Sequence, residues 1–104
     1  MRRSAQILVS GTLAGSLFET SKGFEFEYDD VYLRSDGAAV SLTLPKREGS
    51  FESTHLHPFF AGLVSEGSTR KIQARVHKID ESDLFGLLLA TGRDLVGNVE
   101  VVEQ

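Results

Sequence analysis

Residues 44–70, with the sequence LPKREGSFESTHLHPFFAGLVSEGSTR, separate two halves of the chain that differ in hydrophobic periodicity. Before this segment, apolar residues recur mostly at every second position, which is typical of strands. After it, they recur at intervals of three and four residues, which is typical of helices. The segment also contains both prolines of the chain, Pro45 and Pro58. A change of this kind predicts an α+β domain in which the chain passes from a sheet to a helical layer.

The first half predicts a small meander of antiparallel strands with one face toward solvent. Phe24, Phe26 and Tyr28 alternate with glutamates, and this is the clearest strand pattern in the sequence. Shorter alternating runs are separated by turns rich in glycine and polar residues. These runs are residues 6–9, 13–17 and 40–44, and a last run at residues 99–101 is expected to rejoin the sheet.

The second half predicts about three short helices packed against that sheet. Ser53 or Thr54 is expected to cap the first helix, with Pro58 in its first turn. Its apolar residues share one wide face. They are Leu56, Phe59, Phe60, Leu63 and Val64. For Phe59, Phe60 and Leu88, burial in the core is the simplest interpretation.

The other two helices differ in how much of their surface is apolar. The second is expected to start at Ser68 or Thr69, with a narrow stripe formed by Ile72, Val76 and Ile79. The third is expected to start at a Ser82 cap and to end at Gly92 in a left-handed conformation. It is apolar on nearly every side, so it is either enclosed in the core or partly exposed for a partner.

Length and composition fit one globular domain, residues 1–104. The chain has 104 residues, 40% of them hydrophobic, and no cysteine, which excludes disulfides and a thiol nucleophile. No apolar run approaches the ~20 residues that span a bilayer. The segment after Arg2 and Arg3 is too short and polar for a secretory signal, so a cytoplasmic protein is expected.

The charges are unevenly distributed. Residues 19–36 hold six carboxylates and two cations, whereas residues 70–78 hold four cations, one histidine and no acid. This pattern fits two solvated faces or an asymmetric protein partner. Direct nucleic-acid binding through residues 70–78 is a third interpretation, and the net charge of −4 argues against it.

The sequence contains no recognisable active-site motif. His55 and His57 lie two residues apart at an expected helix start, where their side chains diverge, so a metal site is not favoured. Glycine-rich phosphate loops, a nucleophile elbow and the signature segments of kinases are also missing. We therefore expect a non-enzyme without a cofactor or metal.

Three segments, residues 42–51, 57–70 and 84–101, resemble the amino-terminal module of the HipA family of bacterial toxin kinases. In that family a strand ending in Leu-Pro precedes a helix with PFF and an EG turn, and a leucine-rich helix ends in GRD. The corresponding residues here are Leu44-Pro45, Pro58-Phe59-Phe60, Leu63, Glu66-Gly67, Arg70, Gly92-Arg93-Asp94 and Gly97. Gly11 and Gly15 also fit, so the resemblance covers nearly the whole chain. Ser65 departs from it, because the family usually has proline before the EG turn.

The resemblance implies a fold, a role and partners. In the family the kinase core lies beyond this module, whereas this sequence stops at Gln104. It is therefore expected to be similar to the small free-standing HipS proteins of three-gene HipBST toxin–antitoxin systems. The implied partner is a HipA-like (HipT-like) serine/threonine kinase that the chain neutralises, with a helix-turn-helix HipB-like protein as an indirect partner. The alternative is a non-inhibitory subunit that stabilises the kinase or its complex with HipB and DNA.

The resemblance and the predicted turn together suggest a contact surface for the kinase. Ser65 is either a helix cap or a small side chain that lets the turn approach the kinase. The expected contact residues are Ser65, Glu66, Gly67, Ser68, Arg70, Arg93 and Asp94.

Overall fold

A computed structural model describes residues 2–93 and 97–104, and within these residues the chain forms five strands and four helices. In chain order the elements are β1 (Ser4–Val9), β2 (Thr12–Thr20), β3 (Gly23–Tyr28), α1 (Asp30–Leu33), β4 (Ser50–Ser53), α2 (Pro58–Ala61), α3 (Gly67–His77), α4 (Leu84–Thr91) and β5 (Val99–Glu103). The strands form one antiparallel sheet in the order β4-β3-β2-β1-β5. The predicted α+β class and the return of the last strand to the sheet are confirmed.

The aromatic face of β3 forms the centre of the core. Phe26 and Phe60 are both fully buried, and their ring centroids are 5.5 Å apart. Glu27, between the buried Phe26 and Tyr28, is exposed. The alternation therefore has the predicted consequence, with aromatic rings toward the helices and carboxylates away from them.

The strand predicted at residues 40–44 is wrong, because this segment belongs to an irregular loop. The Tyr28 hydroxyl accepts a hydrogen bond from the Val40 N–H at 2.9 Å and donates one to the Leu44 carbonyl. Val40 and Leu44 are buried, whereas Leu42 between them is fully exposed. The alternation thus marks two anchor points of a loop, and the strand next to β3 is β4 instead.

The helix α2 is one turn long and starts later than expected. Pro58 occupies the first turn, as predicted. The N-cap, however, is His57, and Ser53 lies in β4 instead of capping the helix. His57 is buried, and its Nε2 lies 2.7 Å from the Phe51 carbonyl oxygen, which ties the start of α2 to β4. The predicted burial of Phe60 is confirmed.

The apolar surface of α4 is explained by burial in the core rather than by exposure for a partner. Residues 85–88 are buried, Leu88 among them. Its N-cap is Asp83 rather than Ser82, because the Asp83 Oδ1 accepts a hydrogen bond from the Gly86 N–H at 3.0 Å. The helix therefore lies under the sheet as a core element.

Gly92 ends α4 for a different reason than the one predicted. Its φ is −64°, in the right-handed region, so the expected left-handed stop is wrong. Its carbonyl accepts a hydrogen bond from the Val101 N–H at 3.0 Å. A Cβ on Gly92 would overlap the Val101 carbonyl oxygen. The glycine is required by this close approach between α4 and β5.

Arg3 joins the sheet to the start of α4. Its guanidinium donates hydrogen bonds to Glu19 of β2 at 2.7 and 3.0 Å and to Asp83 at 2.8 Å. It also lies 5.3 Å from the centre of the Phe85 ring. The hydrogen bonds from Arg3 are the main reason that the pKa values of Glu19 and Asp83 are lowered. Both carboxylates are therefore stabilised in their charged form.

Replacing Gly92 by alanine should destabilise the domain by about 2 kcal/mol, because the new methyl group forces α4 away from β5. The measurement is denaturant unfolding. Gly62 provides a matched control, since it also ends a helix with a right-handed φ of −68° and a methyl group added there would have its nearest neighbour at 3.3 Å. Equal losses of stability in the two variants would contradict the close-approach explanation.

Replacing Arg3 by methionine should cost about 2 kcal/mol at pH 7, since hydrogen bonds between charged groups are lost while the apolar stem remains. The folded pKa values of Glu19 and Asp83 lie below their unfolded values of about 4. Their stabilisation is therefore complete at neutral pH and is lost as the pH falls through the lowered folded values.

The free energy of unfolding measured from pH 7 to pH 2 tests this assignment. The difference between wild type and Arg3→Met should shrink as the pH falls, while Arg2→Met, at an exposed position, should follow the wild type throughout. A difference that is independent of pH would show that Arg3 acts only by packing on Phe85.

Candidate protein-interaction surface

The turn between α2 and α3 is anchored at both of its ends. Val64 is buried before it, and the Arg70 Nε donates a hydrogen bond to the Ser65 carbonyl at 2.8 Å after it. Ser65 is half-buried, whereas residues 66–68 are exposed. The structure therefore brings Ser65 and Arg70 together and presents Glu66, Gly67 and Ser68 on the surface between them.

The start of α3 depends on one backbone conformation. Gly67 has a φ of +61°, and nothing lies within 4 Å of a Cβ built on it. Glycine is thus favoured at position 67 because of its positive φ, and not because a side chain there would clash. Glu66 is the N-cap, in an extended conformation and without a side-chain capping hydrogen bond. The interpretation of Ser65 as the helix cap is therefore wrong.

The apolar stripe predicted on α3 faces solvent. Ile72 is 63% exposed and Val76 is 69% exposed, whereas Ala74, on the other side of the helix, is buried. Ala74 is therefore the residue of α3 that packs into the core. Ile79 lies beyond the left-handed Lys78 and packs against the core, so it does not continue the stripe.

The cations of α3 and the glutamates of β3 and β4 lie on different surfaces of the domain. Lys71 and Arg75 are exposed on α3. In residues 2–93 and 97–104, the two ion pairs both involve Arg3. On the sheet, Glu25 faces Glu52 directly across the β3–β4 pair, on the side opposite the aromatic core residues. The exposed side of α3 thus presents cations, and the outer face of β3 and β4 presents carboxylates.

The remaining predicted contact residues follow α4. Arg93 is exposed, and in the described part of the chain no hydrogen bond or ion pair joins it to the turn. Asp94 lies outside the described residues. The structure therefore supports one contiguous candidate surface, which consists of residues 65–70 and the exposed side of α3.

Sequence reasoning missed the exposure of the α3 stripe and the role of Arg3 elsewhere in the fold. The periodicity located an apolar stripe at Ile72 and Val76 but did not show that this side of α3 is exposed. The small Ala74 on the other side of the helix and the cations Lys71 and Arg75 beside the stripe are the signals that could have indicated this. Arg3 was considered only as part of a possible signal segment.

Other kinds of site find little support in the geometry. His55 is exposed and His57 is buried, so the two do not form a metal-binding pair. Within residues 2–93 and 97–104 no group of three potential ligands is placed to hold a metal ion. No helix in this part of the chain is long and apolar enough to cross a membrane.

Comparison with known proteins gives a consistent result. The family profile of the HipA N-terminal domain matches residues 5–102. A solved structure described as "N-terminal domain of HipA toxin" is similar with a TM-score of 0.77 and 35% identity, over 98% of this chain and 92% of that one.

Two curated relatives differ greatly in length. An uncharacterized protein of Haemophilus influenzae (strain ATCC 51907 / DSM 11121 / KW20 / Rd) is 37% identical over 102 residues, which cover 98% of this chain and 93% of that protein. A protein of Sinorhizobium fredii (strain NBRC 101917 / NGR234), named "Putative kinase Y4mE", is 28% identical over 96 residues, which cover 90% of this chain but 23% of that protein. By its profile, its fold and its relatives, the chain belongs to the family of the HipA N-terminal domain.

Proposed function

We propose that the chain is a non-catalytic, antitoxin-type subunit that binds a HipA-like serine/threonine kinase and neutralises it. In this role it corresponds to the HipS proteins of three-gene HipBST systems, which its sequence resembles. The kinase would be HipT-like, and a HipB-like DNA-binding protein would complete the assembly.

The observation that carries the proposal is that this domain forms nearly all of one relative and only a small part of another. It accounts for 93% of a small H. influenzae protein and for 23% of a protein whose name is that of a kinase. Interfaces between domains of one chain resemble those between separate proteins. In the longer protein, this domain covers part of the kinase within one chain. A domain of this kind that is a separate protein can therefore bind the same part of a kinase that lacks it.

The turn at residues 65–70 supports the same proposal. Residues 66–68 are exposed, and the Arg70 hydrogen bond holds the turn in one conformation before any partner binds. Preorganisation of this kind reduces the entropy that is lost on binding. An ordered, exposed turn with one carboxylate suits insertion near a kinase cleft, where it would hold the kinase inactive.

Co-expression with the kinase tests neutralisation. We expect cells that produce the kinase alone to stop growing and cells that also produce this chain to continue. Phosphorylation by the purified pair then separates inhibition from stabilisation. If the chain raises the amount of soluble kinase but leaves its phosphorylation rate unchanged, it is a structural subunit instead.

The double substitution Glu66→Ala and Arg70→Ala should weaken binding to the kinase at least about tenfold, because the turn loses a charged contact and its internal hydrogen bond. The measurement is the dissociation constant by calorimetry. Unfolding stability should fall by only about 1 kcal/mol, the value of one hydrogen bond.

A matched control removes the same two charges elsewhere. Glu48 and Arg34 are exposed and lie outside the candidate surface. Their double alanine variant should bind the kinase like the wild type. If the wild type and both double variants bind the kinase with equal affinity, the turn is not part of the interface.

A further inference from the structure

We propose that the exposed side of α3 is a docking face for the kinase, and that it fits an apolar groove with carboxylates along one rim. This docking face consists of Ile72 and Val76 at its centre and of Lys71 and Arg75 along one flank. The inference rests on the proposed function and extends it from the turn to the helix that follows.

The centre of the docking face is aliphatic and rigid. Ile72 and Val76 lie four residues apart, so their side chains are neighbours on the same side of the helix. They are 63% and 69% exposed. Both are β-branched, and such side chains keep essentially one χ1 rotamer in a helix. They can therefore enter an apolar groove with little loss of side-chain entropy.

Both ends of α3 are fixed, so the face is presented in one orientation. At the start, Arg70 is bonded to the Ser65 carbonyl. At the end, the left-handed Lys78 closes the helix with its N–H directed at the carbonyls of Ala74 and Arg75. The Ile79 N–H then donates to the Ala74 carbonyl at 2.9 Å, and the Ile79 side chain packs against the core.

The charges identify the kind of groove. Lys71 and Arg75 are one turn apart on the flank next to Ile72, and the opposite flank carries Gln73 and His77. Residues 70–78 contain no acid, although the whole chain has a net charge of −4. The cations are therefore local and one-sided, and an acidic rim on the partner would complement them.

Other occupants fit this face less well. Nucleic-acid binding depends on neutralising phosphates with cations, whereas the centre of this face is apolar and the whole chain has a net charge of −4. A membrane surface would require a larger apolar face than two residues provide. The acidic outer face of the sheet could receive α3 of a second copy, but that contact is head-to-tail and does not close into a dimer.

The decisive experiment compares two double variants of the full chain. Ile72→Ser with Val76→Ser removes the centre of the docking face, and serine has a helix propensity close to theirs. Val31→Ser with Leu42→Ser removes two apolar residues that are at least as exposed elsewhere. We expect the first variant to bind the purified kinase at least about tenfold more weakly and the control to bind within about twofold of the wild type.

The cationic flank is tested by Lys71→Gln with Arg75→Gln. The association rate with the kinase should fall and should depend less on ionic strength than that of the wild type. If the association rate and its salt dependence are both unchanged, the groove of the kinase has no acidic rim facing Lys71 and Arg75. Thermal unfolding of each variant alone verifies that the fold is retained.

Each further outcome has a defined meaning. If Ile72→Ser with Val76→Ser binds like the wild type while the Glu66 and Arg70 variant does not, the docking face is wrong and the proposed function stands. If the wild type does not bind the kinase at all, both are wrong. If the wild type alone sediments as larger assemblies that the Ile72 and Val76 variant abolishes, the face binds a second copy and the kinase assignment is overturned.

Discussion

The contact between Phe26 of β3 and Phe60 of α2 is the constraint on which the position of α2, and of the turn that follows it, depends. Both rings are fully buried, and one belongs to the middle of β3 while the other belongs to the single turn of α2. A helix of one turn has almost no stability of its own, so α2 exists because this ring is packed. The position of α2 in turn fixes the start of the exposed turn that leads to α3. Loss of Phe60 would therefore disturb the candidate surface together with the core.

The enclosure of α4 in the core explains why the candidate surface lies on α3 rather than on α4. The leucine-rich helix α4 carries the larger apolar surface, yet residues 85–88 are enclosed, and Asp83 is held at its start by Arg3. The helix α3 contributes little to the core besides Ala74. Substitutions on its outer side are thus nearly free of structural consequences, which makes α3 a suitable place for an evolving interface.

The sequence predicted features that depend on local pattern and missed those that depend on distant contacts. The alternation around Phe26 and the position of Pro58 in a first turn follow from period and backbone geometry, and both were predicted correctly. A strand was predicted at residues 40–44, where the structure has a loop, because the anchor of that loop is the hydroxyl of Tyr28, 12 residues before Val40. On α3 the periodicity located a stripe, but it could not tell which side the fold would bury. The candidate turn was located from its glycine and its family resemblance, and its role remains a prediction.

The hydrogen bond from the Val101 N–H to the Gly92 carbonyl has a consequence for how this domain can associate. An edge strand with unused N–H and C=O groups is a template on which another chain can add a strand. At the middle of β5 that donor already has a partner within the chain. Main-chain recognition by strand addition is therefore obstructed on this edge. The β5 edge is thereby also protected at this position against edge-to-edge pairing with another sheet.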